Sequence, residues 1–138
     1  YLARYLDKEA PKKYKYILGT KIGDTLFGIG RIPKTLTDII ILVEGALDCL
    51  WLHQIGFPNS LALLHVDITK EQKKLLRGIT SYIYLALDGD LPGRQAAIKI
   101  ANNLRREPFI VKICNLPDGK DPNQCSKEEI EKALKEAK

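Results

Sequence analysis

From residue 39 onward the chain alternates short apolar runs with stretches of helical spacing. Ile39–Val43 is a continuous apolar run of strand length, and the segment from Gly45 to Gln54 carries Leu47, Leu50 and Trp51 at helical spacing. Gly56 closes that helix and Pro58-Asn59 makes a loop before a second strand, Ser60–Leu64. Thr69 with Gln72 forms a capping-box start for a helix ending near Gly78. Ser81–Leu87 is the third strand. Pro92 suits the first turn of a helix that turns Ala97, Ile100, Ala101 and Leu104 inward. Phe109–Cys114 is the fourth strand, the loop Leu116–Asn123 follows, and Ser126 with Glu129 caps a last, charged helix. Strands alternating with helices predict an α/β fold: a mostly parallel four-stranded sheet flanked by helices.

Residues 1–34 break this rhythm. Gly19, Gly23, Gly28 and Gly30 punctuate short apolar pieces, which read as turns and short strands leading into the domain. Charge marks the same boundary. Residues 1–34 hold eight Lys or Arg against three Asp or Glu, whereas residues 35–138 hold fourteen of each, so the net charge of +5 lies in this lead-in. Such a surplus suits phosphate contact as readily as it suits a solvated face. Lys12, Lys13 and Lys15, interleaved with Tyr14 and Tyr16, are the candidates, since cationic and aromatic side chains together suit single strands.

At 138 residues the chain fits one domain with a real core. It opens with Tyr rather than Met, and a fragment of a longer protein is the expectation. No signal peptide is visible, and no apolar run approaches the length of a membrane span. Cys49, Cys114 and Cys125 are widely spaced with no Cys-x-x-Cys pair, which argues against a zinc ribbon or redox motif and for small apolar residues in a reducing, cytoplasmic setting.

The chemistry lies where the apolar runs stop. The first ends at Glu44-Gly45 and the third at Asp88-Gly89-Asp90. In an open parallel sheet ligands bind outside the carboxyl ends of the strands, so Glu44, Asp88 and Asp90 should gather at one edge. Clustered carboxylates repel unless a cation joins them, and hard oxygen donors suit Mg²⁺ or Mn²⁺. Asp88 and Asp90, two apart, point the same way on an extended segment, with Gly89 easing the turn. Asp48 shares a face with Glu44 if the helix begins near Glu44. Asp118 and Asp121 lie in a further acidic loop after the fourth strand, and Arg94 sits in the first turn of a helix, where the dipole disfavours a cation. Each has a plainer reading: Asp-Gly is common in turns, a helix start favours Glu44, Asp48 fits a surface position, and Arg94 could pair with Asp88 or Asp90. His53 reads as an ordinary helix residue and His65 as a structural one.

At these residues the sequence resembles a Toprim domain, whose pattern is a Glu after one strand and Asp-x-Asp after another. Within that group it is most similar to bacterial-type (DnaG-type) primases. The likeness lies in Glu44-Gly45-Ala46-Leu47-Asp48, in Asp88-Gly89-Asp90 followed by Pro92-Gly93-Arg94-Gln95-Ala96-Ala97, and in Leu116-Pro117-Asp118-Gly119-Lys120-Asp121-Pro122. Lys13-Tyr14-Lys15-Tyr16 and Gly23-Asp24-Thr25-Leu26-Phe27-Gly28 resemble the segment that leads into the Toprim part. Two features depart from the pattern: Asn123 stands where primases often carry a further Asp, and Leu64-His65-Val66 replaces a small, glycine-containing turn.

The resemblance implies a basic lead-in over 1–34, a Toprim domain over 35–125 and the start of a C-terminal helix over 126–138. It implies primer synthesis on single-stranded DNA from nucleoside triphosphates, with a replicative helicase as partner through the longer protein. Glu44, Asp88 and Asp90 would be catalytic. Glu44, Asp48, Asp88, Asp90 and Asp121 would serve Mg²⁺ or Mn²⁺, with Glu44 as ligand or general base, and Arg94, Lys12, Lys13 and Lys15 would meet phosphate. The competing readings are a Toprim-type nuclease using the same cluster and a non-catalytic nucleic-acid-binding remnant.

Overall fold

Every apolar run read as a strand pairs in parallel with another. The computed structural model describes residues 2–4, 14–16, 19, 21–32 and 38–138. An antiparallel pair, β1 (Leu2–Arg4) and β2 (Tyr14–Tyr16), comes first. The domain then runs β3 (Ile39–Val43), α1 (Ala46–Gln54), β4 (Ser60–Ala62), α2 (Lys70–Arg77), β5 (Tyr82–Leu85), α3 (Leu91–Leu104), β6 (Ile110–Ile113) and α4 (Lys127–Lys135). The four later strands form one parallel sheet in the order β4-β3-β5-β6.

That order sets the layers. The chain leaves β3 in one direction to reach β4, then returns past β3 to β5 and on to β6. Right-handed crossovers in opposite directions put their helices on opposite faces. One core accordingly packs Ile40, Leu42, Ile83 and Leu85 under Leu76 of α2 and Ile100 and Leu104 of α3, while the other packs Ile41, Val43 and Ala62 under Cys49 and Leu52 of α1 and Ile130 of α4. Each fully buried Leu or Ile adds about 1.5–3 kcal/mol. The central strands are apolar on both faces, which is why they read as unbroken runs rather than alternations.

The capping boxes occur as predicted. Thr69 Oγ1 accepts from the Gln72 N–H and Gln72 Oε1 from the Thr69 N–H, both at 3.1 Å, and Ser126 with Glu129 repeats the exchange at the start of α4. Gln72 goes further than a cap. Fully buried, it donates from Nε2 to the carbonyls of Thr25 and Leu63, both at 2.9 Å, tying the lead-in segment to the sheet. Leu26 is 1% exposed in the same core, so this segment is part of the domain's packing.

The edges of the sheet are occupied. Phe27 and Ala62 exchange main-chain hydrogen bonds at 2.9 and 3.1 Å along the outside of β4. Ile113 and Lys138 do the same at 2.7 and 3.3 Å along β6, and Arg105 Nη2 donates to the Val111 carbonyl.

Two expectations are corrected. On α1 the buried positions are Ala46, Asp48, Cys49 and Leu52, while Leu47 and Leu50 are 37% and 40% exposed. The helix is apolar almost all round, so spacing alone could not choose its inner face. The second strand stops at Ala62 rather than Leu64, because Leu64 adopts φ +59°, a left-handed conformation that ends extended pairing. The three cysteines are all free and buried, as small apolar residues would be.

Candidate metal centre at the carboxyl edge

The strand order reverses between β3 and β5, and there the helices depart to opposite sides and leave a crevice at the strands' carboxyl ends. Glu44 follows β3 and Asp88 follows β5, so sequence and topology deliver two carboxylates to this switch point. The loop after β6 brings a third group. Gly89 N–H donates to the Lys120 carbonyl at 2.9 Å and Gly119 N–H to the Gly89 carbonyl at 3.2 Å, fastening the Asp118–Asp121 loop beside the β5 turn.

Gly89 is a glycine for a reason other than turn freedom. Its φ is not positive; a Cβ there would lie 2.2 Å from the Pro117 carbonyl oxygen and 2.9 Å from that of Lys120. Gly93, one turn into α3, is held the same way, since its Cβ would meet the Asp88 carbonyl oxygen at 2.3 Å. Both glycines let main chain close tightly around Asp88.

Asp88 is the electrostatic centre of the edge. Burial pushes its carboxyl from the ordinary 3.8 up to about 7, with the charges of Asp121, Glu44, Asp48 and Asp90 adding to the effect in that order. Its Oδ1 is buried and has no hydrogen-bond partner. The five acidic residues predicted for the site therefore share one field. They are not drawn into a ligating group: among the described residues, no three His, Cys, Asp or Glu side chains stand close enough to hold an ion.

Asp90 is exposed and caps α3, its Oδ1 accepting from the Gly93 N–H at 2.8 Å, while Asp88 is half-buried. Asp48 is no surface residue, being 6% exposed. The helix starts at Ala46, after Glu44, and Asp48 reaches back from its first turn so that Oδ2 accepts from the Gly45 N–H at 3.0 Å. Its Oδ1 accepts from the backbone N–H of Asn123 at 3.3 Å and from the Asn123 amide. Burial raises its carboxyl above 3.8, against the pull of these Asn123 and Gly45 bonds. Asn123, a departure from the family pattern in sequence, is thus a built-in partner of the site.

Arg94 pairs with Asp118 rather than with Asp88 or Asp90, and its Nε donates to the Gly89 carbonyl at 3.1 Å. It lines a cavity of about 430 Å³ that also meets Asp88, Ile98 and Leu116. Lys15 lies in β2, in register with Ala3, and Lys12 and Lys13 fall outside the described residues. His65 is exposed, and His53 hydrogen-bonds through Nε2 with the Ser60 carbonyl at 2.9 Å. No described helix is long and apolar enough to cross a membrane.

Known proteins resemble this chain in sequence and in fold. A DNA primase of Clostridium acetobutylicum is 39% identical over 125 residues, covering 88% of this chain and 21% of that protein. The chain spans about a fifth of the length of the curated relatives it matches. The crystal structure of the Aquifex aeolicus primase, comprising its zinc-binding and RNA polymerase domains, superposes with a TM-score of 0.87 at 29% identity, over 99% of this chain and 36% of that one. A DnaG primase catalytic domain bound to single-stranded DNA gives 0.79 at 26% identity, over 99% of this chain and 46% of that one. Residues 41–126 match the Toprim-like family. That span begins within the strand that delivers Glu44 and ends past the loop that delivers Asp121, so sheet, acidic edge and sequence agree that this chain belongs to the Toprim-like family.

Proposed function

We propose that this chain is the metal-dependent catalytic subdomain of a DNA primase, acting in the synthesis of short RNA primers on single-stranded DNA. The observation that carries the proposal is Asp88: a buried carboxylate oxygen with no partner, set in the field of four further acids at a topological switch point. Such a place is costly with protons as its only counter-charge and suits a hard divalent cation. The likeness to primases over nearly the whole chain supplies the reaction class.

In this reading Glu44, Asp88, Asp90 and Asp121 would hold Mg²⁺ or Mn²⁺. When bound, the ion supplies charge neutralisation for the triphosphate and alignment of the attacking oxygen. The primer's 3′-hydroxyl oxygen forms a bond to the α-phosphorus of a nucleoside triphosphate, and the bond to the leaving pyrophosphate breaks. Glu44, directly after β3, would accept the hydroxyl proton or complete the ligand set, and the pH–rate profile of a full-length primase carrying this segment tests which. Asp48 keeps its two oxygens on Gly45 and Asn123 and steadies the Glu44 turn. Arg94 can exchange Asp118, which is 94% exposed and so holds it weakly, for a phosphate. Lys12, Lys13 and Lys15 would contact the template strand, and a replicative helicase would act through the rest of the protein.

Titration with Mn²⁺ tests the site. Binding that Asp88→Ala and Asp90→Ala each weaken, with the fold retained, supports it, and unchanged binding by the double variant rejects it. Single-stranded DNA binding should be weak and fall steeply with added salt, as phosphate contacts require. Cleavage of a labelled strand without primer synthesis by the full-length protein would favour the nuclease reading instead.

A further inference from the structure

We infer that the cavity between the lead-in turn Ile29–Arg31 and helix α1 binds one unpaired nucleobase of a single strand together with its phosphate. This deepens the primase reading by giving the strand a hold built from none of the acidic-edge residues. The cavity measures about 270 Å³ and is lined by Phe27, Gly28, Gly30, Arg31, Leu50 and His53. Sites that enclose a drug-sized ligand run to roughly 300–1,000 Å³, so this one suits a single flat ring rather than a whole nucleoside triphosphate. Its apolar walls are left open to solvent. The main-chain hydrogen bonds to Ala62 fix Phe27 in place, yet its side chain is only half-buried, and Leu50 is 40% exposed. An aromatic face of this kind is what a base covers by stacking, whatever its identity.

The polar groups complete the fit. His53 Nε2 lies 2.9 Å from the Ser60 carbonyl, which only accepts, so Nε2 carries the hydrogen and Nδ1 of the neutral ring is left as an acceptor for a base N–H. Arg31 is exposed, and among the described residues no acid pairs with it, whereas Arg77 pairs with Glu107 and Arg94 with Asp118. A guanidinium so placed is available to a phosphate. The main chain beneath is packed tightly: Gly28 adopts φ +91°, and a Cβ there would meet Cys49 Sγ at 3.1 Å. At Gly30 an added Cβ would meet nothing within 4 Å, so the turn stands clear of other chain. Cys49 lies 3.6 Å from His53 Nε2 but is fully buried, and burial pushes its thiol up to about 11, so the pair is no nucleophile and the cavity binds rather than reacts.

The test compares a fluorescein-labelled oligothymidylate with an abasic strand of the same length, which keeps the phosphates and lacks the bases. Affinities come from fluorescence anisotropy at low salt, with melting curves as the folding control. The wild-type chain should prefer the base-bearing strand, and Phe27→Leu, which keeps an apolar side chain at the same main-chain bonds, should cut that preference roughly 5-fold or more. Arg31→Gln should weaken both strands alike and lower the salt slope by about 0.7, the share of one phosphate. Oligouridylate separates the sources of the base: tighter binding of DNA assigns the pocket to the template, tighter binding of RNA to the transcript. An unchanged preference in a folded Phe27→Leu variant, equal affinity of wild type for base-bearing and abasic strands, or no binding of either overturns the inference. A preference that depends on Phe27 in a chain that takes up no Mn²⁺ would uphold the pocket while overturning the metal reading.

Discussion

Replacing Asp88 with Asn should make the metal-free protein more stable at neutral and alkaline pH, the reverse of what most substitutions of a half-buried polar residue do. Folding raises the Asp88 carboxyl from 3.8 to about 7, first by burial and then by the neighbouring acids. Between those values the folded state keeps a proton that the unfolded chain has released. Stability contributed by that proton is present in full below about pH 4 and is lost as pH rises through about 7. At about 1.4 kcal/mol per tenfold in proton affinity, the ceiling on that loss is about 4 kcal/mol. Asp88 is only partly buried, so solvent screening cuts this to about 2 kcal/mol. An Asn has no proton to lose and removes one charge from the cluster. Melting temperatures measured from pH 4 to pH 9 in EDTA should therefore fall for wild type and stay flatter for Asp88→Asn, with the curves crossing below pH 7. Mg²⁺ at pH 8 should raise the wild-type curve and leave the variant nearly where it was. Parallel curves for the two proteins in EDTA would refute the reasoning, because they would mean that Asp88 does not carry the proton linkage.

Gly89→Ala drives a methyl into the Pro117 and Lys120 carbonyls and should cost about 1–3 kcal/mol in urea denaturation while detaching the Asp121 loop. Gln72→Leu keeps the bulk but leaves the Thr25 and Leu63 carbonyls without their buried donor, a loss of about 2–4 kcal/mol by the same measurement. Glu44→Gln in a full-length primase carrying this segment should abolish primer formation while changing stability by only about 0.3–1 kcal/mol, and near-normal synthesis would reject a catalytic role for Glu44.

The order of strands and helices was legible because the central strands are apolar on both faces and their ends are marked by glycine, proline and capping residues. Helix ends came within a residue or two, since Thr69, Ser126 and Pro92 act locally. What the chain alone did not disclose depends on contacts between segments far apart in sequence. The inner face of α1 is chosen by the sheet and by Trp51, whose Nε1 donates to the Cys125 carbonyl at 2.9 Å. Gly89 looks like a turn residue until Pro117 and Lys120 are seen against it. Asp48 and Asn123 lie far apart in the chain, and nothing local pairs them. The departure at Leu64-His65-Val66 did carry a signal: a place where glycine would be comfortable holds a leucine at φ +59°.

The stoppered edges of the sheet bear on how this domain lives among other proteins. An open parallel sheet presents two rows of unspent main-chain donors and acceptors, which invite another chain to add a strand and can seed aggregation. Here Phe27 occupies the outer side of β4, and Lys138 with the Arg105 guanidinium occupies that of β6. Strand addition is thus closed to a visitor at those positions. Recognition at these two edges is left to side chains, and a stray β-strand gains nothing there.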